Sequence, residues 1–280
     1  MKIHELNLTD HGSVTDAILS GAKTVETEVV VDLLDADGKV LFTDRGPNEV
    51  LIGGAIQIAK DMSGEALPIK VHKLDEALGL PAKTYSGEAP PYIFGLAVGI
   101  DGSTGIGSVT PVTRKMKGFN LPQLLPFRIT DTSTSGQTNS DDEVNLRDKY
   151  CLRVKKGTDA MYYAKFFESK SLYARTVAGV LIGDFPSDDL ANIDEDVEAV
   201  LEYTCTLTKE ECRTYFDRST GIDSRHISSI MLLRGHRYGP TGFASKNEYH
   251  DVIVSNKRNF SMLNLGDSGS VKIRYRLIIK

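Results

Sequence analysis

The chain has no tryptophan and only three cysteines in its 280 residues. Three is an odd number, and Cys151, Cys205 and Cys212 form no C-x-x-C pair. That excludes a disulfide framework as the organising device, and a reducing site of synthesis is expected. No apolar run approaches the roughly 18 residues that a membrane helix needs, so no membrane span is expected. A surplus of positive charge is also missing, since the formal net charge is −5. Phosphate backbones are held by local Lys/Arg excess, so no direct contact with nucleic acid is expected. The opening residues, MKIHELNLTDHGS, lack the apolar core of a secretory signal.

What is abundant is alternation. Val271, Ile273, Tyr275, Leu277 and Ile279 alternate with Lys272, Arg274, Arg276 and Lys280. This period of two predicts a strand with the first set facing a core and the arginines facing away. A similar run joins Val197, Ala199, Leu201, Tyr203, Cys205 and Leu207. The pattern predicts a hairpin of residues 29–34 and 39–43 turning at Asp35-Ala36-Asp37-Gly38. Tyr92 to Gly99 reads as a buried strand because its apolar run is continuous. Further strands are predicted at 150–155, 161–168, 174–182, 227–233, 250–254 and 259–263. Asn48 is predicted to cap a helix carrying Val50, Leu51, Ala55, Ile58, Ala59 and Met62 on one stripe. Gly53-Gly54 inside that helix implies close approach of another backbone. Thr208 and Glu211 form a capping box for a short second helix.

The expected fold is mainly β: an antiparallel β-sandwich, jelly-roll-like, with one or two short helices and long loops. Residues 1–23 read as an N-terminal arm. Residues 24–280 read as the sandwich domain, with an irregular insertion at about 64–90. The 131–143 loop is too polar to pack by itself. Loops of this length in a compact domain serve function or contact partners.

Motifs that carry chemistry do not hold together. Gly266-Asp267-Ser268-Gly269 matches the tetrapeptide around a serine-protease nucleophile. It stands just before the last strand, with little chain left for an oxyanion hole, and reads as a hairpin turn. The glycine-rich stretch Gly99–Gly107 lacks both the G-x-G-x-x-G spacing and the Lys of a P-loop, and reads as a flexible loop. Asp35–Gly38 begins like a calcium loop but lacks the rest of the ligand set. Asp141-Asp142-Glu143 reads as solvated surface. His4, His11, His72, His226, His236 and His250 show no zinc spacing, and Cys205 and Cys212 read as buried structural thiols.

Four segments, taken in order, resemble virion structural proteins of tailed bacteriophages, especially those of tails, necks and baseplates. They are NEVLIGGAIQIAKD (48–61) with PPYIFGLAVGIDGS (90–103), DKYCLRVKKGTDAMYYAKFFES (148–169), VLEYTCTLTKEECRTYFD (200–217) and NKRNFSMLNLGDSGSVKIRYRLII (256–279). The resemblance implies a non-enzymatic subunit, made in a host cytoplasm and placed in a virion. It would contact other virion proteins and copies of itself in a symmetric assembly. No catalytic, cofactor or metal-binding residue is assigned, and no small-molecule ligand is expected. The expected contact segments are the arm from Lys2 to Leu19, the 64–90 excursion and the 131–143 loop. Two alternatives stand beside this reading. One is a capsid decoration protein. The other is a carbohydrate-binding module using Tyr238, Phe243, Tyr249 and Asn247.

Overall fold

The structure, a computed structural model, describes residues 14–15, 24–56, 71–81, 91–105, 107–113, 118–131, 146, 148–184, 197–216, 226–238, 248–265 and 269–279. Along the chain the strands are β1 (Val14–Thr15), β2 (Thr24–Leu34), β3 (Val40–Pro47), β4 (Glu49–Val50) and β5 (Tyr92–Gly99). Then come β6 (Leu124–Leu125), β7 (Arg128–Asp131), β8 (Tyr150–Lys156), β9 (Asp159–Phe166) and β10 (Ser169–Thr176). The last are β11 (Leu181–Asp184), β12 (Val197–Leu207), β13 (His226–Tyr238), β14 (Glu248–Asn264) and β15 (Ser270–Ile279). They form two antiparallel sheets. The first runs β1-β2-β15-β12-β10-β11, with β3 also on β2. The second runs β4-β14-β13-β5-β9-β7, with β6 on β5 and β8 on β9.

The sheets face each other across one core. Val29, Val31, Tyr203, Cys205, Val271, Ile273 and Tyr275 of the first sheet meet Leu96, Val98, Tyr162, Ile230, Leu232 and Phe260 of the second. This is the expected β-sandwich. The second sheet is also covered on its other side, where Phe94, Ala97, Met231, Leu233 and Val252 pack with Leu51, Leu74 and Phe119. Burial on both faces explains why β5 and β13 read as continuous apolar runs.

Several expectations change. Asn48 does not cap a helix: it is buried between β3 and β4, and its N–H donates to the Thr27 carbonyl at 3.2 Å. The helix, α1, begins at Ile52, and its described part spans 52–56. The glycine inference holds at Gly54, where an added Cβ would collide with the Ser255 carbonyl oxygen. Residues 71–81 are not irregular throughout. A one-turn helix, α2 (Leu74–Ala77), buries Leu74, and the Val252 N–H donates to Asp75 Oδ1 at 3.1 Å.

The single strand expected over 174–182 is a hairpin, β10–β11. Its turn closes through Gly179, at φ +88°, whose N–H donates to the Thr176 carbonyl at 2.7 Å. The two strands expected at 250–254 and 259–263 are one, β14. A bulge at Ser255 and the polar run Asn256-Lys257-Arg258 imitate a turn in sequence, yet these residues are buried and paired. The capping box forms as expected: Thr208 N–H donates to Glu211 Oε2 at 2.6 Å, and Glu211 N–H to Thr208 Oγ1 at 3.3 Å. It opens α3, a helical stretch over 209–216 with a π register at Glu211–Tyr215. In β15 the inward set is Val271, Ile273 and Tyr275. Past that point Leu277 and Ile279 are only half-buried, whereas Ile278 is buried from the other face.

Candidate functional site

The outward face of the first sheet is built from the residues that alternate with the core set. Register places Arg276 of β15 between Glu28 of β2 and Glu202 of β12. Arg276 Nε donates to Glu202 Oε2 at 2.6 Å, and Arg276 Nη1 donates to Glu28 Oε2 at 3.3 Å. Arg45 of β3 also pairs with Glu28. Arg175 of β10 pairs with Glu198 at 2.8 Å, and Arg274 pairs with Asp32 at 2.5 Å. Arg274 and Arg276 therefore do not face open solvent as expected; they knit four strands together. Between this ladder and the β10–β11 hairpin lies a recess of about 580 Å³. Arg45, Tyr173, Arg175, Glu202 and Arg276 line its floor, and Val177, Ala178, Gly179 and Leu181 line its wall. Each arginine there already has a carboxylate partner. Burial first, and the Glu202 charge second, push the Tyr173 phenol up. The recess is a rigid, charge-balanced floor with an apolar rim, which suits contact rather than proton transfer.

Apolar side chains are exposed at both ends of this sheet. Val40, Leu41 and Phe42 stand out on β3, and Val180, Leu181 and Ile182 stand out at the β10–β11 hairpin. Leu181 is 65% exposed and Phe42 is 51% exposed. Neither set was singled out by sequence, because alternation alone does not say which strand lies at an edge.

The chemistry-bearing residues are engaged inside the fold. Lys165 Nζ donates to Glu211 Oε1 at 2.8 Å and to the Thr206 carbonyl at 2.6 Å. Tyr150 Oη donates to Glu211 Oε1 at 2.6 Å. The Lys165 and Glu211 side chains are 5% and 2% exposed, so this is a buried ion pair. Burial, reinforced by the Glu211 charge, pushes the Tyr150 phenol far up. All three cysteines are buried and free, and burial holds the Cys151 and Cys205 thiols well above their ordinary range. Asp101, within the glycine-rich loop, accepts from Ser229 Oγ at 2.5 Å and from Lys257 Nζ at 2.5 Å. Gly102 N–H donates to Ser228 Oγ at 3.0 Å, so this loop is fastened to β13.

His236 and His250 are cross-strand partners with stacked rings 5.6 Å apart. Among the described residues no three His, Cys, Asp or Glu side chains are grouped to hold a metal. Tyr249 stacks on Phe94 at 3.9 Å, and its hydroxyl lies 2.8 Å from that of Tyr92, so it packs into an aromatic cluster. Phe243 and Asn247 lie outside the described residues, as does the Tyr238 side chain. So do most of the arm from Lys2 to Leu19, the excursion apart from 71–81, residues 132–143, His4, His11 and Gly266-Asp267-Ser268. Gly269 is described: its N–H donates to the Leu34 carbonyl at 2.8 Å, and an added Cβ would strike the Asp35 carbonyl.

Among the described residues no helix is long and apolar enough to cross a membrane. In comparisons with known proteins, no family model, no curated protein and no solved structure matches this chain.

Proposed function

We propose that this chain is a structural subunit of a tailed-phage particle, of tail, neck or baseplate type. It makes protein–protein contacts with copies of itself and with other virion proteins in a symmetric assembly. The observation that carries the reading is the exposure of apolar side chains on both edge hairpins of the first sheet. Edge strands invite pairing with another chain, and solitary proteins normally blunt them. The four-segment resemblance supplies the setting, and a cross-braced sandwich supplies rigidity. Virions from an infected culture of the natural host test the reading. Mass spectrometry of purified particles should find the chain at a fixed stoichiometry, and antibody-gold should label one symmetric feature. A chain absent from particles and confined to the cell extract would overturn it.

A further inference from the structure

The two exposed apolar hairpins are the two ends of one sheet. Its path is β3-β2-β15-β12-β10-β11, and every neighbouring pair is antiparallel. Six strands make five reversals, so β3 and β11 run in opposite directions. If a second copy is placed beside the first in the same orientation, its β3 meets β11 of the first copy antiparallel. The ladder then continues without a break in alternation. A sheet with an odd number of strands would meet its next copy in parallel.

The residues at the two ends suit each other. Val180, Leu181 and Ile182 are exposed at one end, and Val40, Leu41 and Phe42 at the other. Among the described residues β11 pairs only with β10, and β3 only with β2. Lysine, arginine and proline normally guard an edge. Arg45 and Pro47 stand at the far end of β3, away from Val40–Phe42, and β11 reads Leu-Ile-Gly-Asp with none of the three.

We infer that the partner of these edges is a second copy of this chain, added head to tail, β11 onto β3. Main-chain hydrogen bonds extend the sheet, and the apolar side chains pack across the seam. Sheets twist, so each copy is rotated relative to the last. A repeated head-to-tail contact closes into a ring or winds into a filament. The inference rests on the subunit reading for its biological setting, but it names a contact that is tested without virions.

The test uses the full chain, Leu181→Asp at one edge and Leu41→Asp at the other, with sedimentation velocity and native mass spectrometry. Both positions are exposed, so unfolding midpoints should match the wild type; Leu181→Lys and Leu41→Lys stand in for a variant that fails to fold. The wild type should form oligomers, and each variant alone should associate at least roughly tenfold more weakly, as expected for a charge in an apolar interface centre. Mixing the two variants should give one-to-one dimers that grow no further, because only one pair of intact edges remains. A wild-type chain that stays monomeric at its highest soluble concentration would overturn the inference. So would oligomers that ignore both variants. Dimers of Leu41→Asp alone, abolished in Leu181→Asp, would mean two-fold pairing of β11 with itself and would also overturn it. If the chain is found in virions but the edge variants assemble normally, this contact fails and the subunit reading stands. If the edges behave as inferred but virions lack the chain, the reverse holds.

Discussion

Ile273 and Arg274 are chain neighbours with opposite surroundings. Ile273 is sealed between the sheets, and Arg274 reaches outward to Asp32, whose carboxylate also accepts from Thr43 Oγ1 at 2.8 Å. Truncating a packed aliphatic costs about 2–5 kcal/mol, so Ile273→Ala should lower the unfolding midpoint strongly. From sequence alone Arg274→Ala would be nearly silent. The structure instead predicts a loss of about 1–3 kcal/mol, because buried Asp32 is left with fewer donors. Urea melts of both variants check this; a silent Arg274→Ala would mean that the Asp32 pair contributes nothing. Asp75 gives a pH signature. Burial raises its carboxyl above the ordinary 3.8, partly offset by main-chain donors. A raised folded value means the folded state holds the proton more tightly. Its contribution is complete below the ordinary value and is lost as pH rises through the raised one. Asp75→Asn keeps an acceptor for the Val252 N–H and removes the charge. The variant should equal the wild type in acid and exceed it at neutral pH, read as unfolding free energy across a pH series. A variant weaker at neutral pH than in acid would show that ionised Asp75 is stabilising.

At the scale of elements, α3 is held by a charge rather than by its length. Glu211 closes the capping box and also holds Lys165 of β9. A buried pair need not add stability, but removing one partner strands the other. Glu211→Leu and Lys165→Met should each cost about 3–5 kcal/mol, and the double variant should recover most of that loss. A double-variant cycle by denaturant unfolding measures it, and simple additivity would rule out the coupling. The capping box was legible because its partners are three residues apart. Lys165 was not, because 46 residues separate it from Glu211 and only the pairing of distant strands brings it near. The β10–β11 hairpin was missed for a related reason: Val177-Ala178-Gly179-Val180 is apolar enough to read as strand, and the turn rests on one left-handed glycine.

At the scale of the molecule, two sheets share a core and differ in their outer faces. The second sheet's outer face is covered by Leu51, Leu74 and Phe119, whereas the first sheet's carries the charged ladder and ends in exposed apolar edges. Free edge strands exchange their amide hydrogens readily, and paired ones do not. The β3 and β11 amides should therefore exchange fast in the isolated chain and slowly in the assembled one, with β12 and β15 protected in both. Hydrogen exchange followed by mass spectrometry reads this directly, and equal rates at the edges in both states would sink the idea of an edge contact.

The sequence by itself determined the class of fold and most of its strands. Period-two alternation is a local property, and in β12 and β15 it names the core face without knowledge of any partner. It also determined the Asp35–Gly38 turn and the Thr208–Glu211 cap, whose hydrogen bonds span only a few residues. Tertiary structure alone decided which strands are neighbours, and hence which charges meet. The polar run at 256–258 looks like a turn until Asp44, Asp101 and Val50 arrive beside it from distant parts of the chain. Edges were also undetermined in sequence, because being last in a sheet is a property of the whole pairing order. Val40–Phe42 and Val180–Ile182 look like ordinary strand residues until that order leaves them uncovered.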